Sequence, residues 1–158
     1  MEIRFIVHHA TARLVDEYEF FHAGETGGTA CYTAYEVANS LLESDYPRSQ
    51  WNVYPWHFSD GEDFDTRRTI AELKKLFKKD INMFGYGEIR PGGGYAGFPQ
   101  LLKEFIAVFG LTNSVGEGGL KIAVGENDEY PFLAVIIEKK EHILPALKAF
   151  LKRDRWQK

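Results

Sequence analysis

The sequence predicts an α/β fold in which strands and helices alternate along the chain. Short β-branched and aromatic runs are followed by segments whose apolar residues recur at helical spacing. The connections between them are short and rich in glycine and proline. The 158 residues, of which 44% are apolar and 15% aromatic, suffice for one domain with a sizeable core. We therefore assign residues 1–158 to a single domain.

The N-terminal part is predicted to contain two strands and a helix. Residues 3–7 are typical of an interior strand, whereas residues 13–20 carry three acids and are interpreted as an exposed edge strand. A glycine-rich loop at residues 24–29 leads into an amphipathic helix that ends before Pro47. Its apolar stripe consists of Cys31, Ala34, Ala38, Leu41 and Leu42.

A buried strand and a helix are predicted in the middle of the chain. Residues 52–59 are apolar and aromatic, although Pro55 cannot donate to a strand ladder. An acidic loop follows, and then an apolar stripe between Ile70 and Phe77 indicates a helix. Either Asp65 or Thr66 can serve as the N-cap of this helix.

The second half of the chain continues the alternation. Further strands are predicted at residues 82–89, 121–125 and 132–137. A glycine-rich loop at residues 91–98 precedes a helix that begins near Pro99 and ends at Gly110. The final helix, residues 143–151, tolerates Pro145 because proline is accepted in a first turn.

Composition excludes several classes of protein. The formal net charge of −4 does not favour nucleic acid or an anionic membrane as the main partner. No apolar run approaches the roughly 18 residues of a membrane span, and residues 1–20 lack the apolar segment of a signal peptide. The single cysteine, Cys31, excludes an internal disulfide framework and fits a reducing compartment. We expect a soluble, cytoplasmic protein.

Two loops of the predicted fold can bind a ligand. Open α/β sheets bind ligands beyond the carboxyl ends of their strands. Thr29 ends a loop that leads into a helix, and Asp60 follows a strand. Each offers a hard oxygen ligand of the kind that a magnesium-like ion prefers. The alternatives are that Thr29 is a helix N-cap and that Asp60 is a loop acid at the start of the next helix, where the helix dipole favours Glu62, Asp63 and Asp65.

Other motifs are interpreted as structural. Residues 92–97 satisfy G-x-G-x-x-G, but no acid ends a following strand about 20 residues later, so we predict no dinucleotide site. His8 and His9 are adjacent and point to opposite faces of a strand. Cys31 belongs to the apolar stripe of its helix and is interpreted as a small buried residue. The alternative is a reactive thiol near a helix N-terminus, for which no histidine partner can be assigned.

Several segments together resemble the YeaH/YhbH family of stress and sporulation proteins. They are IRFIVHH (3–9), VDE (15–17), FF (20–21), ETGGT (25–29), YP (46–47), WNVY (51–54) and SDG (59–61). Members of that family resemble von Willebrand factor A domains. The resemblance therefore implies a von Willebrand factor A-like fold, with a mostly parallel sheet and helices on both of its faces.

The resemblance also implies a metal-ion-dependent adhesion site. Such a site takes a threonine from one loop, an aspartate from another and an Asp-x-Ser-x-Ser run after the first strand. By this resemblance Thr29 is the threonine and Asp60 the aspartate, with Glu62 and Asp63 as accessory acids. The Asp-x-Ser-x-Ser run does not occur in this sequence. We therefore expect Mg²⁺ or Mn²⁺ to bind weakly or not at all to this chain alone.

The missing run has a structural consequence under the same resemblance. The chain corresponds to the C-terminal part of the family pattern, and the first central strand, in the order 3-2-1-4-5-6, is missing. The strands at residues 3–7 and 52–59 would each lose a neighbour. Because exposed edges are a liability, we expect these strands to pair with each other or with a second copy in a homo-oligomer.

The function implied by the resemblance is a non-enzymatic, protein-binding role in stress response or sporulation. A serine protein kinase system, which often accompanies the family, is the expected partner. A cation near Thr29 and Asp60 would accept an acidic side chain of that partner. The alternatives are a metal-assisted hydrolase, for which no nucleophile or base with an orienting partner can be named, and a degenerate scaffold that only self-associates.

Overall fold

The computed structural model describes residues 1–22, 24, 29–93, 101–125 and 129–152. The chain forms two compact units. Unit 1 comprises Met1–Trp51 and Asp63–Asp80, and unit 2 comprises Asn52–Glu62 and Ile81–Lys158. The acidic loop is therefore divided, since Asp60 and Glu62 belong to unit 2 and Asp63 to unit 1. The assignment of the whole chain to a single domain stays a prediction.

The described part of unit 1 contains a hairpin and helices. Its elements are β1 (Phe5–His8), β2 (Ala12–Val15), α1 (Glu17–His22), α2 (Cys31–Ser44) and α3 (Thr66–Phe77). Strands β1 and β2 pair in antiparallel orientation. Between α2 and α3, the buried side-chain amide of Asn39 donates to the Glu72 carbonyl at 3.1 Å. The Asp65 carboxylate accepts the Arg68 N–H, which confirms Asp65 as the N-cap of α3.

The predicted strand at residues 13–20 is wrong beyond Val15, because the chain turns into α1. Asp16 Oδ1 accepts the backbone N–H of Glu19 at 2.7 Å. This is the hydrogen bond with which a capping aspartate begins a helix. Glu17 and Glu19 then lie in the first helical turn, where the helix dipole favours acids. The acids that we interpreted as protection of an edge strand therefore begin a helix.

Unit 2 contains a mixed five-stranded sheet. Its strands are β3 (Trp56–Ser59), β4 (Phe84–Ile89), β5 (Thr112–Val115), β6 (Lys121–Val124) and β7 (Phe132–Ile137). Their order is β3-β4-β7-β6-β5. Strands β3, β4 and β7 run parallel, whereas β6 pairs antiparallel with both β7 and β5. The α/β prediction is confirmed, but the sheet is mixed rather than mostly parallel.

Helices α4 (Leu101–Phe109) and α5 (Ile143–Leu151) cover opposite faces of this sheet. On one face, the Phe105 ring of α4 lies 5.2 Å from the Tyr86 ring of β4. On the other, a Cβ on Gly85 would lie 3.1 Å from the Phe150 ring of α5. Successive strand residues point to opposite faces of the sheet, so Gly85 and Tyr86, which are adjacent in β4, lie on opposite faces. The prediction of helices on both faces is confirmed for unit 2.

Strand β5 was not predicted from the sequence. All four of its residues are exposed. It therefore lacks the alternation of apolar and polar residues from which a half-buried strand is recognised. Its position at the sheet edge depends on antiparallel pairing with β6, in which Val115 lies opposite Lys121.

The strands at residues 3–7 and 52–59 lie in different sheets and do not pair with each other. Within the described residues, β1 pairs with β2, and β3 pairs on one side with β4. Their mutual pairing, one of our two expectations, is therefore wrong for this part of the chain. Pairing with a second copy stays a prediction. Strand β3 is also shorter than predicted, since it begins only after Pro55, which has no N–H for the ladder.

None of the helices in the described ranges combines the length and apolar character that a membrane crossing requires.

Candidate functional site

A fully buried carboxylate lies near the carboxyl end of β4 in unit 2. Glu88 is 0% exposed. Its Oε2 accepts the backbone N–H of Leu102 at 2.8 Å and the Tyr86 hydroxyl at 3.1 Å. Its Oε1 accepts the guanidinium of Arg90. A buried carboxylate is costly unless donors replace its lost water, and this set of donors provides that replacement.

The same network extends to the loop that follows β3. Ser59 Oγ lies 2.9 Å from the Tyr86 hydroxyl oxygen and accepts the Gly61 N–H at 3.2 Å. The Gly61 carbonyl accepts the N–H of Leu101, the first residue of α4, at 2.9 Å. The loop that contains Asp60 is thereby attached to β4 and to the start of α4.

Gly61 is required at its position for two reasons. Its φ angle is 89°, in the left-handed region that side chains disfavour. A Cβ at this position would also lie 2.7 Å from Glu88 Cδ, a distance that real Cβ atoms essentially never show. The absence of a side chain therefore allows the loop backbone to approach the buried carboxylate closely.

Asp60 lies directly after β3, as predicted, at the carboxyl end of the parallel pair β3 and β4. Its side chain is exposed, and Oδ1 accepts the N–H of Glu62 at 3.0 Å. Glu62 is exposed as well. Within unit 2 the structure therefore brings Asp60 and Glu62 together in one turn, whose backbone is held by the Glu88 network.

Thr29 and Asp63 are brought together in unit 1. The Thr29 carbonyl accepts the N–H of Phe64 at 2.9 Å, and Asp63 Oδ1 accepts the N–H of Cys31 at 3.0 Å. The N-cap of α2 is Ala30, so the alternative that Thr29 is the cap is wrong. Among the described residues, the buried Asp63 Oδ2 has no hydrogen-bond partner. A carboxylate oxygen thus remains unsatisfied beside the start of α2.

Two further predictions from the sequence concern Cys31 and the glycine-rich motif at residues 92–97. Cys31 is 0% exposed, which confirms it as a buried residue of α2. The motif at residues 92–97 lies mostly outside the described residues, as does Pro99.

Sequence reasoning missed the side chains that hold the site in unit 2, namely Tyr86, Glu88 and Arg90. One signal was available, because Glu88 is the one charged residue in the predicted strand at residues 82–89. Acids are almost never fully buried unless they are paired. The partner from α4 has no such signal, because Leu102 contributes only its backbone N–H.

A second acid lies after the neighbouring strand β7. Glu138 Oε1 accepts from Lys121 Nζ at 2.7 Å. This hydrogen bond and the charge of Lys121 hold the pKa of Glu138 below its usual value, although burial opposes the shift. Glu138 is therefore paired within the sheet.

Comparison with known proteins gives a family for the chain. Residues 1–154 match the family model described as protein of unknown function (DUF444). A UPF0229 protein from Ruminiclostridium cellulolyticum is 37% identical over 154 residues, which cover 96% of this chain and 33% of that protein. A UPF0229 protein from Bacillus thuringiensis is 33% identical over 160 aligned residues, covering 100% of this chain and 35% of that protein.

The chain spans about a third of the length of these curated relatives. No solved structure matches it. The family match covers nearly every residue of both units, including the loop with Asp60 and the Glu88 network. The chain therefore belongs to the DUF444 family.

Proposed function

We propose that the chain is a non-enzymatic protein-binding module of the von Willebrand factor A type, which captures an acidic group of a partner through a divalent cation. One observation supports this most directly. Asp63 Oδ2 is buried and, within the described residues, has no hydrogen-bond partner. Leaving such an oxygen unsatisfied is costly, and a hard cation is one group that can satisfy it.

The residues in unit 1 suit a small, hard cation. The Thr29 hydroxyl and the Asp63 carboxylate are the oxygen donors that would hold Mg²⁺ or Mn²⁺. The hydrogen bond from the Cys31 N–H to Asp63 Oδ1 fixes the orientation of this carboxylate. When bound, the cation would supply a coordination position for a carboxylate of the partner.

Asp60, which the resemblance assigns as a ligand, and Glu62 form a second set of candidates in unit 2. Their loop is held in one conformation by Gly61 and by the Glu88 network. An exposed carboxylate on a rigid turn binds a ligand with a smaller loss of conformational entropy than one on a mobile loop. The resemblance further supports a role in stress response or sporulation, with a serine protein kinase system as the partner.

The proposal is tested by calorimetric titration of Mg²⁺ and Mn²⁺ into the chain. Asp63→Asn can keep the Oδ1 acceptor for Cys31 while it removes the second carboxylate oxygen. Thr29→Val removes the hydroxyl at similar volume. Asp60→Asn tests the candidate ligands of unit 2, Asp60 and Glu62, separately. Asp65→Asn is the matched control, because Asp65 caps α3 in the same acidic segment.

Of the two outcomes expected from the sequence, weak binding and none, the unsatisfied Asp63 Oδ2 favours weak binding. We expect this binding to be abolished in Asp63→Asn and Thr29→Val and unchanged in Asp65→Asn. Loss of binding in Asp60→Asn alone would assign the cation to unit 2. Absence of heat up to millimolar metal, or equal binding by every variant, would contradict the proposal.

A further inference from the structure

Unit 2 exposes an apolar surface made by β3 and α5, which we call the β3–α5 surface. Its side chains are Trp56, Phe58, Ile143, Leu144, Leu147 and Leu151, each between 39% and 63% exposed. Contiguous apolar patches of roughly 300–600 Å² on soluble proteins are often functional. Exposure of this many large apolar side chains in two adjacent elements therefore calls for a partner.

Helix α5 contacts β3 through Phe150 and carries an exposed apolar row beside it. Helix α5 buries Ala146 and Phe150 against the sheet. Ile143, Leu147 and Leu151 follow each other at intervals of four residues and form a row along one flank of the helix. The Phe150 ring lies 5.6 Å from the Trp56 ring and 6.0 Å from the Phe58 ring. Phe150, on the buried side of α5, thus packs against the aromatic side chains of β3.

Strand β3 also offers backbone hydrogen-bonding groups at the sheet edge. It is the terminal strand of the sheet, and Gly85 of β4 donates its N–H to the Pro55 carbonyl at 2.9 Å. Backbone groups of successive strand residues point alternately to either side of the strand. The N–H and C=O groups of Trp56 and Phe58 therefore point away from β4. Among the described residues, no strand pairs with them.

We propose that a second copy of the chain covers the β3–α5 surface by pairing its own β3 with this edge in antiparallel orientation. With a two-fold axis at His57, Trp56 of each copy lies opposite Phe58 of the other copy. Each of these two residue pairs can exchange both of its backbone hydrogen bonds. The same register aligns the two aromatic side chains on one face, and aromatic cross-strand pairs stabilise sheets.

Charge is the reason to assign a second copy as the occupant. The strand Trp56–Ser59 contains no lysine, acid or proline, which are the residues that commonly protect edges. The side chains of the β3–α5 surface are all uncharged, so identical copies meet there without like-charge repulsion despite the net charge of −4. A two-fold axis lets one apolar surface cover itself. Stable dimers bury about 800 Å² on each partner, and this surface can provide the apolar centre of such an interface.

The test is sedimentation velocity of the full chain from low to high micromolar concentration. A chelator is present throughout, so the result does not depend on the proposed cation. Phe58→Lys places a charge on the strand, and Leu147→Lys places one on α5 without altering the strand. Ser114→Lys is the matched control, because β5 is the other edge of the same sheet. Far-ultraviolet circular dichroism checks that each variant folds.

We expect a concentration-dependent dimer that Phe58→Lys and Leu147→Lys each weaken about tenfold or more, while Ser114→Lys does not. In hydrogen exchange, the Trp56 and Phe58 amides should be protected in concentrated samples and exchange rapidly in dilute ones. A monomer at every concentration would overturn the proposal. Protection of these amides in the dilute monomer would also overturn the proposal. It would mean that the chain itself or another partner covers the β3 edge.

Discussion

Leu102 donates its backbone N–H to Oε2 of Glu88 at 2.8 Å, so the first turn of α4 is tied to a carboxylate that is completely buried in β4. Through Tyr86, the same carboxylate is connected to Ser59 at the end of β3. Two strands and a helix therefore share one polar network. Removing one member of such a network leaves the other buried groups unsatisfied.

Glu88→Gln should destabilise the protein strongly. The substitution leaves the guanidinium of Arg90 without its anionic partner and directs an amide NH₂ toward groups that donate hydrogen bonds. Breaking a buried ion pair from one side costs about 3–5 kcal/mol, which urea unfolding can measure. Glu117→Gln removes the exposed pair with Lys148 and should cost at most about 1 kcal/mol. Equal losses in the two variants would contradict a structural role for Glu88.

Gly61→Ala should cost more than Gly110→Ala, although both glycines have positive φ angles of 89° and 63°. A Cβ on Gly110 meets nothing within 4 Å, whereas one on Gly61 meets Glu88 at 2.7 Å. Both variants carry the backbone strain, and only Gly61→Ala adds overpacking, which costs about 1–3 kcal/mol. The difference between their free energies of unfolding reports the contact with Glu88 together with the larger departure of Gly61 from the left-handed region that other residues can adopt. A difference near zero would mean that the Glu88 side chain moves aside freely.

Asp65→Ala should lower the stability of α3 by about 1 kcal/mol, because an N-cap aspartate satisfies a backbone N–H that has no other partner. The affected donor is the Arg68 N–H, 3.1 Å from Asp65 Oδ1. Its amide hydrogen exchange should accelerate in the variant. Asp65→Asn retains the acceptor and serves as the control. An unchanged exchange rate at Arg68 would show that another group caps the helix.

Glu138 should contribute to stability in a pH-dependent way. The Lys121 hydrogen bond lowers the pKa of Glu138 in the folded state below its ordinary value of 4.5. The folded state therefore binds this proton less readily, so the contribution is present above the ordinary value and is lost as the pH falls through the lowered pKa. Glu138→Gln should flatten the fall of the urea midpoint in that acidic range. An equal fall in Glu138→Gln and in the unsubstituted protein would contradict the prediction.

Local patterns predicted most of the helices correctly. Helices α2, α3 and α4 bury apolar residues at helical spacing, and such spacing is visible in the sequence alone. Helix α5 shows the same spacing but buries only Ala146 and Phe150 and leaves most of its stripe exposed. The N-cap Asp65 was recognisable for the same reason, because capping acts within one helical turn. Asp60 was placed correctly after β3, since strand ends follow from composition.

The errors arise where a pattern permits two structures. The acids of residues 13–20 suit an exposed edge as well as a first helical turn, and the hydrogen bond from Glu19 to Asp16 determines that a helix forms. Strand β5 has no buried face, so only its pairing with β6 makes it a strand.

The sequence by itself determined the α/β class, the positions of four helices and the chemistry available at Thr29, Asp60 and Asp63. Tertiary structure alone decided the mixed direction of the sheet, the terminal position of β3 among the described strands and the burial of Glu88. The physical reason is the distance along the chain over which each kind of interaction acts. Periodicity and capping depend on neighbours within a few residues, whereas the Leu102 N–H that helps to satisfy Glu88 belongs to a helix 14 residues further along the chain.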